Sequence, residues 1–222
     1  MKEKQVVLFG ATGLIGGYVL KFLLNDSCFD KVIVVSRKPI SVTHKKIVFR
    51  RINFSNLKEI EDCVKDSSVV FSTIGTTQYK VRGDKKAYRE IDFDITYNIG
   101  RACKARNIEK YLFVSSSGAD SSSSNFYLKL KGETEDMVSG LNLKSLIILQ
   151  PSLLLGKRND LRFGEKVAQI LIPLFSVFLS SNIKPIRAES VSKVMVDFSK
   201  LNNSGNKIIR NGEILARSKN IK

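Results

Sequence analysis

Of the six tyrosines in the chain, Tyr127 alone is followed four residues later by a lysine, in Tyr127-Leu128-Lys129-Leu130-Lys131. On a helix that spacing sets both side chains on one face, one turn apart. A nearby ammonium favours phenolate over phenol, so Lys131 would draw Tyr127 toward ionisation at working pH. Tyr127 is then able to trade a proton with a carbonyl or alcohol oxygen. In a lysine-rich chain such a pair alone describes an ordinary helix surface, and its position is what raises it above that. It follows the run Tyr111 to Ser115, read as a strand that ends in Ser115-Ser116-Ser117. A serine hydroxyl there hydrogen-bonds a substrate oxygen and steadies developing charge, and Ser116 is the first choice.

A second chemistry-bearing segment stands near the start. Gly10-Ala11-Thr12-Gly13-Leu14-Ile15-Gly16 comes directly after the apolar run Val6-Val7-Leu8-Phe9 and directly before the helix-like run Tyr18 to Leu24. Strand, tight glycine turn and helix start make the layout that holds a dinucleotide pyrophosphate. One glycine allows the sharp turn, one lets backbone approach the phosphates, and one lets helix and strand pack closely. The free N–H groups and positive dipole end of the helix then face the anion. The competing nucleoside-triphosphatase loop needs Lys-Ser or Lys-Thr after its last glycine, and here Gly16 is followed by Gly17-Tyr18.

The cofactor expected is NADP(H), with NAD less favoured. After the second strand such folds use an acidic residue to bind the adenosine ribose of NAD, or a basic one to bind the 2'-phosphate of NADP. This chain has Val34-Val35-Ser36-Arg37-Lys38. The Arg37 fork makes two charge-assisted bonds to a phosphate and Ser36 adds another, with no carboxylate nearby in sequence. Exposed loop charge is the plainer alternative.

The elements that must position these groups are legible as an alternation. Short β-branched runs fall near Gln5 to Phe9, Lys31 to Val35, Lys46 to Phe49, Val69 to Ser72, Tyr111 to Ser115 and Leu146 to Gln150. Between them Leu57, Ile60 and Val64 mark one helix, and Ile91, Ile95, Ile99, Ala102 and Cys103 a longer one. Strand and helix repeated in this way predict right-handed crossovers and a doubly wound parallel α/β sheet, the Rossmann fold. After Pro151 the alternation weakens. Glu165 to Leu179 and Glu189 to Leu201 look helical, while Lys207 to Arg210 and Glu213 to Ala216 read as a late strand and a C-terminal segment. With 222 residues, 43% of them hydrophobic, the chain supports one sizeable core. We expect a single domain over 1–222, with 1–155 as the cofactor-binding core and 156–222 as a small substrate-side appendage.

Composition bounds the partners. The net charge of +16 demands an anionic partner or a solubility role. Without interleaved aromatic platforms or a reading helix, nucleic acid is disfavoured, and part of the charge falls where the cofactor cleft is expected. The longest apolar stretch, Val167 to Leu179, is too short to span a bilayer. It reads as a buried helix broken at Pro173, a segment lying on a membrane surface, or the wall of a substrate pocket, and the wider stretch Leu161 to Leu179 as a surface for a protein partner that responds to the cofactor. Cys28, Cys63 and Cys103 lack disulfide or metal spacing, so no metal site is expected. Free thiols and the charged Met1-Lys2-Glu3-Lys4 start, which leaves no room for a signal peptide, point to a cytoplasmic setting. His44 has no partner motif, and Asp92 and Asp94 are read as helix-dipole carboxylates without chemistry.

Taken together, the segments GATGLIGG, STIGTT (Ser72 to Thr77), SSSGADSSSSNFYLKLKGETE (Ser115 to Glu135) and QPSLLLGKR (Gln150 to Arg158) resemble the short-chain dehydrogenase/reductase superfamily. More narrowly they resemble its atypical branch, which contains the HIV Tat-interacting protein oxidoreductase. The resemblance implies that Gly10, Gly13 and Gly16 contact pyrophosphate with Thr12, Leu14 and Ile15 lining the turn, and that Ser36 and Arg37 hold the 2'-phosphate. It implies that Thr73, Ile74 and Gly75 pass along the adenosine and its ribose. Tyr127 and Lys131 would meet the nicotinamide ribose, and Pro151-Ser152-Leu153-Leu154 would border the nicotinamide. Asn53 stands where relatives often carry Asp near adenine, which weakens that contact. The implied function is an NADP(H)-dependent oxidoreductase acting on a small carbonyl or alcohol; the alternative is a cofactor-binding regulator with little turnover, working through a protein partner or a homo-oligomer. The chain is too short to enclose a nucleotide sugar as the epimerase relatives do.

Overall fold

The first strand β1 (Gln5–Phe9) runs through the glycine turn into helix α1 (Leu14–Asn25), in a computed structural model that describes residues 4–156 and 180–221. There follow β2 (Lys31–Ser36), β3 (Ile47–Arg51), α2 (Leu57–Val64), β4 (Val69–Ser72), α3 (Lys85–Arg89), a π-helical turn (Glu90–Asp94), α4 (Ile95–Ala105), β5 (Lys110–Val114), α5 (Phe126–Ser139) and β6 (Ser145–Gln150). The described remainder comprises β7 (Leu154–Leu155), β8 (Ile186–Arg187), α6 (Ala188–Lys200), β9 (Gly205–Arg210) and α7 (Asn211–Asn220).

Seven strands form one sheet in the order β3-β2-β1-β4-β5-β6-β9, and every neighbouring pair is parallel. This is the doubly wound Rossmann sheet, with the strand order reversing between β1 and β4. Alternate residues of each strand feed opposite faces, as the period of two requires. Val6, Leu8, Val32 and Val34 pack with Val19, Leu23, Val191 and Met195 on the α1/α6 side. Val7, Phe9, Ile33 and Val35 pack with Ile60, Val64, Ile99 and Val138 on the α2/α4/α5 side. A sheet covered on both faces explains why its central strands read as unbroken apolar runs.

Three sequence expectations are refined. The long helix anticipated from Ile91 to Cys103 is two pieces, the π turn, which itself continues from α3, and α4. A π turn changes the angular phase of the residues it contains, so a regular 3.6-residue pattern does not foretell which of them face inward. Lys207 to Arg210 is part of a strand as expected, but its partner is β6, so it closes the edge of the main sheet. Glu213 to Ala216 lies within helix α7. The small parallel pair β7–β8 stands apart from the main sheet. The helix expected over Glu165 to Leu179 and the apolar stretch within it lie outside the described residues. Among those that are described, no helix is long and apolar enough to cross a membrane.

Candidate active site

The glycine turn is shaped by close contact with the end of β4. Gly10 has φ +88°, a backbone region that L side chains rarely enter. A β-carbon there would also stand 2.7 Å from Thr73 Oγ1. Gly13 N–H donates to the Gly10 carbonyl at 2.9 Å, closing the turn. Gly13 then serves as the N-cap of α1 with no side-chain acceptor and no acidic residue in the first turn. Helices α2, α3 and α5 differ, since Asn56, Asp84 and Asn125 each cap with a side-chain oxygen, while α6 and α7, entered from Arg187 and Arg210, are like α1 in lacking one. An N-terminus left to backbone alone, with glycine keeping the approach open, fits a pyrophosphate. Thr12 is exposed at the turn, Leu14 is half-buried and Ile15 is buried. From behind, the Ser192 hydroxyl lies within bonding distance of the Ile15 and Ala188 carbonyls, at 2.9 and 2.8 Å.

Thr73, expected along the adenosine, has a more local duty. Its hydroxyl lies within bonding distance of the Phe9 and Gly10 carbonyls, at 3.1 and 3.2 Å, so it clamps the glycine turn onto β4. Ile74 and Gly75 continue along the same edge, with Gly75 exposed.

At the ends of β2 and β3 an open cleft of about 460 Å³ is lined by Arg37, Arg51, Ile52, Asn53 and Glu59. Parallel register puts Ser36 opposite Arg51, which brings two guanidiniums to one cleft. Glu59 also lines the cleft, its two oxygens accepting from Asn53 N–H and Asn56 Nδ2 at 2.8 and 2.9 Å. Ser36 Oγ accepts the Lys38 N–H at 3.2 Å and keeps its own proton to donate. Arg51 follows another basic residue, Arg50, in the chain, and its place beside Arg37 comes from strand register rather than from sequence spacing.

The third part of the site sits where α5 begins. Asn125 Oδ1 accepts the N–H groups of Tyr127 and Leu128 at 3.0 and 3.1 Å, fixing Tyr127 in the first turn. One turn on, Lys131 Nζ stands 5.9 Å from the Tyr127 ring centre. Lys131 is buried and bonded to Asp92 Oδ1 at 2.6 Å. Burial opposes its charge, yet Asp92 and Tyr127 outweigh that cost and hold the ammonium above the ordinary lysine value. Asp92, expected to be a dipole carboxylate, is instead 2% exposed, and its Oδ2 accepts the Thr76 N–H at 2.8 Å. Tyr88 walls this corner, its ring 6.3 Å from that of Tyr127 and 5.8 Å from that of Phe126. Beneath them Glu135 is buried against Gln150, whose Nε2 reaches both carboxylate oxygens at 3.0 and 2.9 Å.

The serine loop is pressed onto α5 at Gly132, where a β-carbon would meet Ser121 N at 2.1 Å. Its three candidate hydroxyls differ in occupation. Ser115 is buried, and Ser117 Oγ donates to the Asn182 carbonyl at 2.8 Å. Ser116 Oγ makes one long contact, 3.3 Å to the Ser117 carbonyl. Beside the serine loop, whose Ser117 N–H donates to the Pro151 carbonyl at 2.9 Å, Pro151 is buried and Ser152 is engaged: its N–H donates to Asn211 Oδ1 at 3.0 Å and its hydroxyl to the Lys184 carbonyl. Asn211, itself fully buried, also donates to the Ser181 and Lys184 carbonyls. It therefore staples the Pro151–Ser152 wall to the chain before β8. Leu154 lies in β7, paired with Ile186.

Residues singled out without a role find structural ones. His44 Nδ1 accepts the Lys46 N–H at 3.1 Å, closing a turn. Cys63 and Cys103 are buried and free, and burial pushes the Cys63 thiol up to about 11, away from reactivity.

Comparison with known proteins adds the family. A family model described as NAD(P)H-binding matches residues 10–170. The chain belongs to that family. This NAD(P)H-binding protein is 39% identical over 158 residues to the mitochondrial protein FMP52-1 of Scheffersomyces stipitis, covering 68% of this chain and 67% of that one. It is 30% identical to mitochondrial FMP52 of Candida albicans over 86% of each chain. To protein HTATIP2 of Rattus norvegicus it is 32% identical over 76% of this chain and 70% of that one. Among solved structures, a UDP-N-acetylglucosamine 4-epimerase from Methanobrevibacter ruminantium superposes with a TM-score of 0.73 at 18% identity, over 99% of this chain and 81% of that one. MoeE5 in complex with UDP-glucose and NAD superposes with 0.71 at 15% identity, over 98% and 82%. The NAD(P)H-binding protein is thus an atypical short-chain dehydrogenase/reductase of Rossmann fold. One expectation is overturned. A cytoplasmic setting does not stand, because the FMP52 relatives are named mitochondrial. Free thiols mark a reducing environment and do not choose among compartments that share it.

Proposed function

We propose that this protein is an NADP(H)-dependent reductase of a small carbonyl compound. The observation that supports the reading is that a glycine-lined helix start without a side-chain cap and Tyr127, backed by the buried Lys131 ammonium, both follow strands at the carboxyl edge of one parallel sheet. Gly10, Gly13 and Gly16 would hold the pyrophosphate, Ile74 and Gly75 would flank the adenosine ribose, and Thr73 would keep the turn in shape. Ser36, Arg37 and Arg51 would take the 2'-phosphate, the paired guanidiniums in their shared cleft supporting NADP over NAD. Pro151, Ser152 and Leu154 would form the wall beside the nicotinamide.

The cofactor, when bound, supplies the hydride to the carbonyl carbon. Ser116 donates a hydrogen bond to the substrate oxygen, and Tyr127 Oη gives that oxygen its proton, leaving an alcohol. Lys131 stabilises the phenolate that remains. In the reverse direction the same tyrosine takes the proton from the alcohol.

Tyr127→Phe should abolish NADPH consumption with a panel of small aldehydes and ketones while leaving NADPH affinity, read by fluorescence titration, nearly intact. Unchanged turnover in that variant ends the catalytic reading. The mitochondrial names of the FMP52 relatives support a mitochondrial place of action, which fractionation of the native host tests.

A further inference from the structure

We infer that Asp92 is a positioning residue whose charge sets how much of the Lys131 field reaches Tyr127, and that it joins Lys131 to the loop after β4 as one buried unit. This rests on the reading of Tyr127 as proton donor.

The geometry is a two-sided clasp. Oδ1 of Asp92 sits 2.6 Å from Lys131 Nζ, and Oδ2 accepts the Thr76 N–H at 2.8 Å. The π turn places Asp92, α5 places Lys131, and Thr76 belongs to the segment that continues from Thr73 and Gly75. One carboxylate therefore ties the helix behind the tyrosine to the loop that would carry the ribose. Asp92 is 2% exposed and the Lys131 side chain 8%, so the pair has little solvent to screen it.

A lone ammonium draws a neighbouring phenol toward phenolate, whereas an ammonium already paired with a carboxylate presents a much weaker net field. The other groups around Tyr127 and Lys131 leave Asp92 in control of that balance. Tyr88 faces from α3, and burial, together with Asp92 and Tyr127, pushes its phenol well above the usual tyrosine range. Glu135 faces Lys131 from α5 with both oxygens already met by Gln150 from β6. On the outer side Lys85 lies over the Phe126 ring, and Arg89 is paired with Glu133 at 2.6 Å. Asp92 alone among these carboxylates touches the Lys131 ammonium.

The test is an ultraviolet phenolate titration of the intact, cofactor-free protein, taking the Tyr127 component as the difference from Tyr127→Phe. In Asp92→Asn the Tyr127 component should move to lower pH than in the unaltered protein, because the ammonium is no longer neutralised. An unmoved midpoint overturns the inference, since a residue that serves packing alone changes stability and not this titration. If the single variant does not fold, Lys131→Met is compared with Asp92→Asn/Lys131→Met, neither of which buries an unpaired ammonium. The midpoint should then be higher where the Asp92 charge survives, and equal midpoints overturn the inference. Neither comparison uses substrate or cofactor. An absence of NADPH consumption by the unaltered protein would count against the reductase reading and leave the titration result standing.

Discussion

A β-carbon placed on Gly16 would stand 2.0 Å from the carbonyl oxygen of Gly10. Gly16 is therefore where α1 touches the backbone of the turn that precedes it, and no side chain fits between them. Gly16→Ala should destabilise the fold by about 1–3 kcal/mol, the usual cost of overpacking, and remove pyridine-nucleotide binding. Gly17 gives the contrast, since a β-carbon there meets nothing nearer than the Ala11 carbonyl at 3.8 Å. Gly17→Ala should keep nucleotide binding and gain roughly 0.4–1 kcal/mol from the stiffer unfolded chain. Thermal denaturation with and without NADPH measures both.

The paired guanidiniums make a claim about cofactor choice. Arg37→Ala should weaken NADPH binding by roughly 1–3 kcal/mol, the scale of lost charged hydrogen bonds, and barely alter NADH binding. Arg51→Ala should act in the same direction. Calorimetric titration of both nucleotides reads the difference, and equal losses for the two would remove the 2'-phosphate from this cleft.

Ser116 and Ser117 are neighbours with separable consequences. Ser116→Ala should lower kcat by about a hundredfold, as loss of one donor to a reacting oxygen does. The Ser117 hydroxyl is committed to the Asn182 carbonyl, so Ser117→Ala should loosen the loop contact and reduce stability while kcat stays within a few-fold. A reversal of these two outcomes would move the oxygen clamp to Ser117.

Glu135 carries a pH dependence. Burial raises its carboxyl above the ordinary glutamate range, against the opposing hydrogen bond from Gln150 and the charge of Lys131. Between the ordinary value and the raised one, the folded state binds more protons than the unfolded state. Stability contributed by this group therefore falls as pH rises through that window. Glu135→Gln removes the ionisation, so its stability relative to the unaltered protein should rise with pH through the window and then level off. Urea unfolding at a series of pH values above 4.5 tests this, 4.5 being the ordinary glutamate value from which the window opens. A constant difference across the series would show that the Glu135 charge costs the fold nothing.

The segment from β1 to α1 was legible because three local signals agreed: an apolar run, glycines at a turn, and a helical pattern after them. The alternation of strand and helix was equally local, and it fixed a parallel sheet because parallel strands require crossovers. The Tyr127–Lys131 spacing needed only the pitch of one helix. Asp92 could not be read this way. Its neighbours in sequence made it a dipole carboxylate, and only the packing of the π turn against α5 brought it to Lys131.

Arg51 joined Arg37 through strand register, Ser36 opposite Arg51. β9 became the seventh strand because β6 had an open edge on which to pair it. Sequence by itself determined the fold class, the glycine turn and the helix that carries the tyrosine, since each depends on contacts within a turn or a crossover. Tertiary structure alone decided which charges meet, because pairing between distant segments depends on strand order, register and helix phase, none of which is written in local periodicity.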